Sequence, residues 1–105
     1  MSDVNLQTLN DFRQRLRSRG IECSVTLFGS RARGDFSSDS DMDVLVVVPT
    51  LDAATEDSVS ECAWETSLAQ GIPVVPLVFS KAEWEQGPAR SSLLALAVAR
   101  EGVQL

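Results

Sequence analysis

The apolar residues near the beginning of the chain recur at the spacing of a helix. Four of them lie three, three and four positions apart: Leu6, Leu9, Phe12 and Leu16. This stripe predicts an amphipathic helix, since it places the four side chains on one face. Ser2 or Asp3 can cap the beginning of the helix, and Gly20 suits the position just beyond its end.

Three later segments are rich in β-branched and apolar residues, the composition that strands favour. They are residues 21–28, 42–48 and 72–79. The second segment is almost continuously apolar, which predicts a central strand. The third contains Pro73 and Pro76, and because proline cannot donate a hydrogen bond to a neighbouring strand, we predict an edge position or irregular pairing for it.

The remaining patterns indicate helices. Residues 53–70 have a partial apolar face and are followed by Gly71, a typical helix end. Ser80 and Glu83 have the spacing of a capping box, which predicts a short helix after the third strand. A last helix is predicted over residues 88–102, because proline suits its first turn and glycine its end.

The resulting order, αβ(turn)βαβαα, predicts an α/β fold in which a small mixed β-sheet packs with helices. The chain has 105 residues and no repeat or linker-like segment. We therefore expect a single domain over residues 1–105.

Charge is distributed unevenly along the chain. The net charge is −6, and residues 34–80 carry nine acidic residues and no basic one. This balance argues against a general binder of nucleic acid or of anionic membranes. Residues 1–33 hold six arginines, and those near the end of the first helix either complement its dipole as a solvated face or contact a phosphate or a partner.

Histidine is absent from the chain, which excludes Ser-His-Asp and Cys-His catalysis and His-ligated metal sites. Carboxylates remain as metal ligands, and Mg²⁺ or Mn²⁺ prefers them. Cys23 and Cys62 lack the spacing of a metal site, so we expect reduced core thiols. No apolar run reaches the ~18 residues of a membrane helix and no leader opens the chain, so we expect a cytoplasmic protein without membrane contact.

The segment between the first two strands carries the candidate chemistry. Gly29 and Ser30 follow the first strand directly, and Asp41 and Asp43 come ten residues later, at the beginning of the second. Side chains of a strand alternate, so the two carboxylates share one face and repel each other unless a cation lies between them. We therefore predict a divalent metal site at this pair.

The residues around the Gly-Ser pair suit a phosphate group. Gly29 lets a phosphate approach the backbone, and Ser30 offers a hydroxyl and an N–H group. Arg31 and Arg33 are further candidate phosphate contacts. Each feature alone has an ordinary structural explanation: a turn for Gly-Ser, a polar strand start for the aspartates, and a bridge to surface acids for Arg31.

The joint spacing resembles the GSx10DxD signature of the polymerase-β-type nucleotidyltransferase superfamily. In so short a chain it looks like the minimal nucleotidyltransferases, or MNT proteins. The segment from Arg31 to Gly34 and the ending from Arg100 to Val103 are also similar to this family, so the resemblance covers nearly the whole chain. It implies a fold like the palm of polymerase β.

The resemblance also implies roles for the motif residues. Asp41 and Asp43 would be catalytic and would hold Mg²⁺ or Mn²⁺, while Gly29 and Ser30 would hold the phosphates of ATP or another nucleoside triphosphate. The implied reaction transfers a nucleoside monophosphate, commonly AMP, to a hydroxyl group and releases pyrophosphate. The implied partner is a HEPN-domain toxin, which an MNT antitoxin adenylylates on tyrosine or otherwise neutralises.

One departure from the family keeps a second interpretation open. The family usually places a third carboxylate on the third strand, and here residues 72–79 contain no acid. Glu83 and Glu85 lie beyond that strand, on a predicted helix. The alternatives are therefore an active transferase, a binding module of the same fold that acts by contact with its partner, and an enzyme that modifies an antibiotic.

Several large apolar residues fall outside the motif. Trp64 and Trp84 are interpreted as core or interface anchors. The last predicted helix carries four apolar residues that are expected to close the core, or to form a homodimer: Leu93, Leu94, Leu96 and Val98.

Overall fold

The structure, a computed structural model, describes residues 2–34, 40–88 and 92–105. The helices found there are α1 (Asp3–Ser18), α2 (Ser30–Arg33), α3 (Ala53–Gln70), α4 (Lys81–Gln86) and α5 (Leu93–Glu101). The strands are β1 (Ser24–Phe28), β2 (Met42–Val48), β3 (Val74–Ser80) and β4 (Val103–Gln104).

Local capping groups set the helix boundaries. The Ser2 side chain accepts a hydrogen bond from the Asn5 N–H at the beginning of α1, which confirms one of the two predicted caps. Helix α3 ends at Gly71 in the left-handed conformation, as predicted. The predicted capping box of α4 is also present, with reciprocal bonds between Ser80 and Glu83.

The strands form one mixed sheet in the order β3-β2-β1-β4. Strand β2 is central, antiparallel to β1 and parallel to β3, and the proline-bearing β3 lies at an edge. These positions confirm the predictions for both strands. Strand β4, which pairs with β1 at Thr26 and Leu27, was not predicted because two residues are too few to show a pattern.

The core lies between one face of the sheet and helices α1 and α3. Buried apolar residues of the strands meet those of the two helices there: Leu9, Phe12, Leu16, Val25, Leu27, Val44, Val46, Val59 and Cys62. On the surface, Arg19 joins the helices through Glu61, at 2.5 Å, and Glu65, at 2.8 Å. Arg19 therefore has a structural role, because it joins the two helices at the surface. Cys23 and Cys62 are both free thiols, as expected.

Helix α5 differs from its prediction. It begins at Leu93, capped by the Ser92 side chain, rather than at Pro88. The expectation that its leucines close the core is wrong for Leu93, which is 85% exposed, and for Leu96, which is 47% exposed. The helix meets the sheet at its other end, where Gly102 lies against Thr26.

The two tryptophans occupy different environments. Trp64 is 66% exposed on α3 and therefore is not a core residue. Trp84 of α4 packs on Phe79 with 5.4 Å between the ring centroids. Of the helices that the structure describes, none combines the length and apolar character needed to cross a bilayer.

Candidate functional site

The Gly-Ser pair and the two aspartates meet at one end of the sheet. Strands β1 and β2 are antiparallel, so the end of β1 lies beside the beginning of β2, with Phe28 opposite Asp43. The turn that begins at Gly29 is therefore brought back against the Asp-x-Asp segment. Asp41 lies just before β2 and is exposed, whereas Asp43 is half-buried. The buried Met42 between them points to the other face, as alternation requires.

Gly29 is required at its position for two reasons. Its φ angle is +81°, in the left-handed region that side chains disfavour. A Cβ atom there would also lie 2.5 Å from Oδ2 of Asp43. The absence of a side chain therefore lets the Asp43 carboxylate lie directly against the turn. The C=O group of Gly29 accepts the N–H groups of Ala32 and Arg33, both at 3.1 Å, and so opens helix α2.

Gly29→Ala is expected to lower the free energy of unfolding by about 1–3 kcal/mol through backbone strain and displacement of Asp43. Urea denaturation measures this loss. Gly20→Ala is the matched control, because Gly20 has a φ of +74° but no atom within 4 Å of the place that an added methyl group would occupy. An equal loss in both variants would show that only backbone strain matters and that the contact with Asp43 contributes nothing.

Negative charge accumulates at the aspartate pair. Burial raises the pKa of the Asp43 carboxyl above its ordinary value, and the charge of Asp41 raises it further. The positive charge of Arg33 acts in the opposite direction and lowers this pKa. The three side chains therefore lie close enough to interact. Asp35 and Asp39, which are near in sequence, lie outside the described residues.

The carboxylates of Asp41 and Asp43 suit a hard divalent cation that is coordinated by a bound ligand as well as by the protein. Within the described ranges, no group of three or more His, Cys, Asp or Glu side chains is placed to hold a metal ion. Mg²⁺ commonly binds to one or two protein carboxylates and completes its shell with water and substrate phosphate. Asp41 and Asp43 fit that mode of binding, and a site built from protein ligands alone does not fit.

Strand β3 supplies no third carboxylate. Val75 lies opposite Asp43 in the parallel pairing of β2 and β3. Glu83 is engaged in the capping box of α4, where its carboxylate accepts the N–H of Ser80 at 3.1 Å. The departure from the family pattern that the sequence indicated is therefore also a feature of the three-dimensional arrangement.

The Arg31 side chain is directed into the protein, where it makes hydrogen bonds to two other parts of the chain. The residue is only 3% exposed. Its Nε donates to the C=O of Ser40 at 2.8 Å, and its Nη1 donates to Oδ1 of Asn5 at 2.8 Å. The side-chain amide of Asn5 donates in return to the C=O of Arg31 at 3.3 Å. Arg31 thus joins α1 to the residue that precedes Asp41, and its predicted contact with phosphate stays a prediction.

Glu101, at the end of α5, is a neighbour of the site that the motif did not reveal. Its Oε1 accepts the N–H of Gly29 at 3.2 Å. Both carboxylate oxygens also lie near Nη1 of Arg33, at 3.1 and 3.2 Å. The only signal in the sequence was the similarity of the ending from Arg100 to Val103 to the family, which did not indicate a place in the site.

The sheet face that carries Asp43 is partly exposed. A cavity of about 560 Å³ lies further along the same face, where Leu45 and Val47 form part of its lining, and none of the predicted site residues lines it. Val75 and Leu77 of β3, on the face of Asp43, are 39% and 38% exposed. Asp41 is exposed and Asp43 half-buried on a face that also carries exposed apolar side chains.

Comparison with known proteins relates this arrangement to characterised families. A family model described as a nucleotidyltransferase domain matches residues 9–95. Over 58 residues the chain is 38% identical to a protein of Methanocaldococcus jannaschii named "Putative protein adenylyltransferase". This alignment covers 54% of the chain and 59% of the relative, so the match spans less than two thirds of the relative's length.

Two solved structures have a similar fold. One is a toxin–antitoxin structure with AMP-PNP, with a TM-score of 0.62 and 25% identity over 90% of this chain and 69% of that one. The other contains the tri-AMPylated HEPN toxin of Shewanella oneidensis with an MNT antitoxin, with a TM-score of 0.57 and 22% identity over 95% of this chain and 70% of that one. Both likenesses confirm the predicted α/β architecture.

Proposed function

The chain belongs to the nucleotidyltransferase domain family, and from this we propose that it transfers AMP from ATP to a hydroxyl group of a partner protein. The observation that carries the proposal is the contact between the Gly29 turn and Asp43, with Asp41 beside it. This contact joins the two halves of the GSx10DxD motif into one site. A group held by the turn would lie directly beside the two carboxylates.

We assign the roles of the chain's residues as follows. The Ser30 hydroxyl and the N–H groups of the turn donate to phosphate oxygens, and Arg33 offsets their negative charge. Asp41 and Asp43 hold Mg²⁺ or Mn²⁺, which when bound neutralises charge on the phosphates and on the leaving pyrophosphate. The acceptor oxygen bonds to the α-phosphorus as the bond to pyrophosphate breaks, and the hydroxyl proton passes to water. Strand β3 supplies no base for the acceptor hydroxyl, because Val75 stands opposite Asp43.

The choice of AMP is supported by two comparisons. The M. jannaschii relative is named as a protein adenylyltransferase. The toxin–antitoxin structure that is 25% identical contains AMP-PNP, an analogue of ATP. Both point to an adenine nucleotide as the donor.

A protein acceptor is supported by the shape of the site. Asp41 is exposed and Asp43 half-buried, and the apolar side chains of Val75 and Leu77 are exposed on the same face. Apolar groups beside a reactive centre suit contact with a folded partner better than contact with a small polar acceptor. The resemblance to MNT proteins and the likeness to a toxin–antitoxin structure support a HEPN-domain toxin as the proposed partner.

The missing acid on β3 favours a second candidate function. In it the chain keeps the fold and the nucleotide site, but neutralises its partner by contact alone. The two functions predict different products from the same mixture, so one experiment separates them.

The purified chain is mixed with a HEPN-domain partner, ATP and Mg²⁺, and the intact mass of the partner is measured. We expect a gain of one or more AMP groups, located on hydroxyl-bearing side chains by peptide mapping. The matched control is Asp43→Asn, which should leave the partner's mass unchanged. Inhibition of the partner by the wild-type chain without any gain in mass would support the contact function and contradict transfer.

A further inference from the structure

Glu101 is held at the site by the backbone on both sides of it. It is the last residue of α5, and Gly102 after it packs so tightly that a Cβ there would lie 2.9 Å from Cγ2 of Thr26. Strand β4 follows at once and pairs with Thr26 and Leu27 of β1. The position of the Glu101 backbone is therefore fixed relative to the Gly29 turn, which follows the same strand.

The carboxylate of Glu101 uses donors that the proposed function assigns to phosphate. It accepts the Gly29 N–H at 3.2 Å and lies 3.1 Å from Nη1 of Arg33. Its side chain is 17% exposed, so water screens these contacts only in part. A carboxylate and a phosphate are both anionic acceptors, and a backbone N–H can make a good hydrogen bond to only one of them at a time.

We propose that Glu101 competes with the nucleotide phosphates for the Gly29 N–H and for Arg33, and so limits the affinity of the site for nucleotide. This inference rests on the proposed function, because it takes these donors to be the phosphate contacts. The backbone at residues 101–104 is fixed, so the carboxylate gives way by rotation of its own side chain and not by movement of α5. Nucleotide binding then requires Glu101 to give up its contacts with the Gly29 N–H and with Arg33.

The test compares the affinity of wild-type protein and Glu101→Gln for ATP in excess Mg²⁺, by calorimetry. We expect about three- to tenfold tighter binding by the variant, because its neutral amide loses the ion pair with Arg33 and accepts the Gly29 N–H more weakly than the carboxylate does. Glu56→Gln is the control, since it makes the same charge change on the exposed face of α3 and should leave the affinity unchanged. Thermal melting verifies that each variant is folded.

Glu101→Asp separates competition for donors from a general effect of charge. The shorter side chain keeps its charge but withdraws from the Gly29 N–H, so competition predicts tighter binding in this variant too. Tighter binding in Glu101→Gln alone would indicate a charge effect and overturn the proposal. Unchanged or weaker binding in both variants would also overturn it. Weaker binding would mean that Glu101 stabilises the Gly29 turn. If neither the wild type nor any variant binds ATP, the proposed function fails together with this inference.

Discussion

Asp43→Asn is expected to abolish transfer of AMP and to leave the fold intact. The substitution removes the carboxylate that lies against the Gly29 turn, and the loss of a single preorganised group at such a centre lowers the rate by at least about a hundredfold. The amide has nearly the shape of the carboxylate, so it fits the same space against Gly29.

The expected effect on stability follows from the electrostatics of Asp43. Burial and the charge of Asp41 raise its pKa in the folded protein. The ionised form is therefore disfavoured by folding, and stability falls as the pH rises through the interval between the unfolded and folded pKa values. Above that interval the cost is present in full, and the neutral amide removes it. The melting temperature of Asp43→Asn should thus equal or exceed that of the wild type.

Transfer assays and thermal melting at neutral pH check both parts of this expectation. Asp57→Asn, on the exposed surface of α3, makes the same chemical change away from the site and should keep full activity. A clearly lower melting temperature for Asp43→Asn would mean that the carboxylate stabilises the fold. Undiminished transfer would remove Asp43 from the catalytic group.

Removal of divalent metal is expected to weaken the binding of ATP by about a thousandfold. A triphosphate that contacts the Gly29 turn comes close to Asp43 and Asp41, while residues 34–80 contain no basic side chain. Two like charges about 4 Å apart repel by about 4 kcal/mol at an effective dielectric constant of about 20. That energy corresponds to about three orders of magnitude in the dissociation constant. A bound cation reverses the sign of the local field.

Calorimetric titration of ATP in EDTA and then in excess Mg²⁺ measures this effect. Asp43→Asn provides a test with opposite signs: without metal it should bind ATP more tightly than the wild type, because one repelling charge is gone, and with metal it should bind less tightly. Comparable affinity of the wild type in both conditions would contradict a metal site at the aspartate pair.

The features that the sequence predicts well are those whose physical cause is local. Helix α3 has the predicted bounds because its start and its end are each set by a single neighbouring residue, Asp52 and Gly71. Strand β2 has the predicted bounds because its seven consecutive residues are nearly all apolar and mostly buried, so its extent is visible in the sequence. Gly29 and Asp43 meet for a similarly local reason. Strands β1 and β2 follow each other along the chain and pair antiparallel, so the end of β1 lies beside the beginning of β2.

The features that the sequence did not reveal depend on distant parts of the chain. Arg31 donates a hydrogen bond to Asn5, which lies 26 positions away on α1, and no local pattern in the motif indicates this contact. Glu101 reaches Gly29 across 72 positions, and neither periodicity nor spacing records such a contact. The exposure of Leu93 depends on where α5 is anchored, which is a property of the packed structure and not of the helix pattern.

The two edge strands of the sheet affect how this protein can bind to other chains. One edge is β3, in which Pro76 removes a backbone donor, and the other is β4, which has only two residues. Neither edge is a good template for an added strand, so the sheet resists extension by another copy and the aggregation that such extension begins. A partner must then be recognised through side chains on a face or a helix. Because those side chains contribute little to the core, substitutions on them can change the partner without changing the fold.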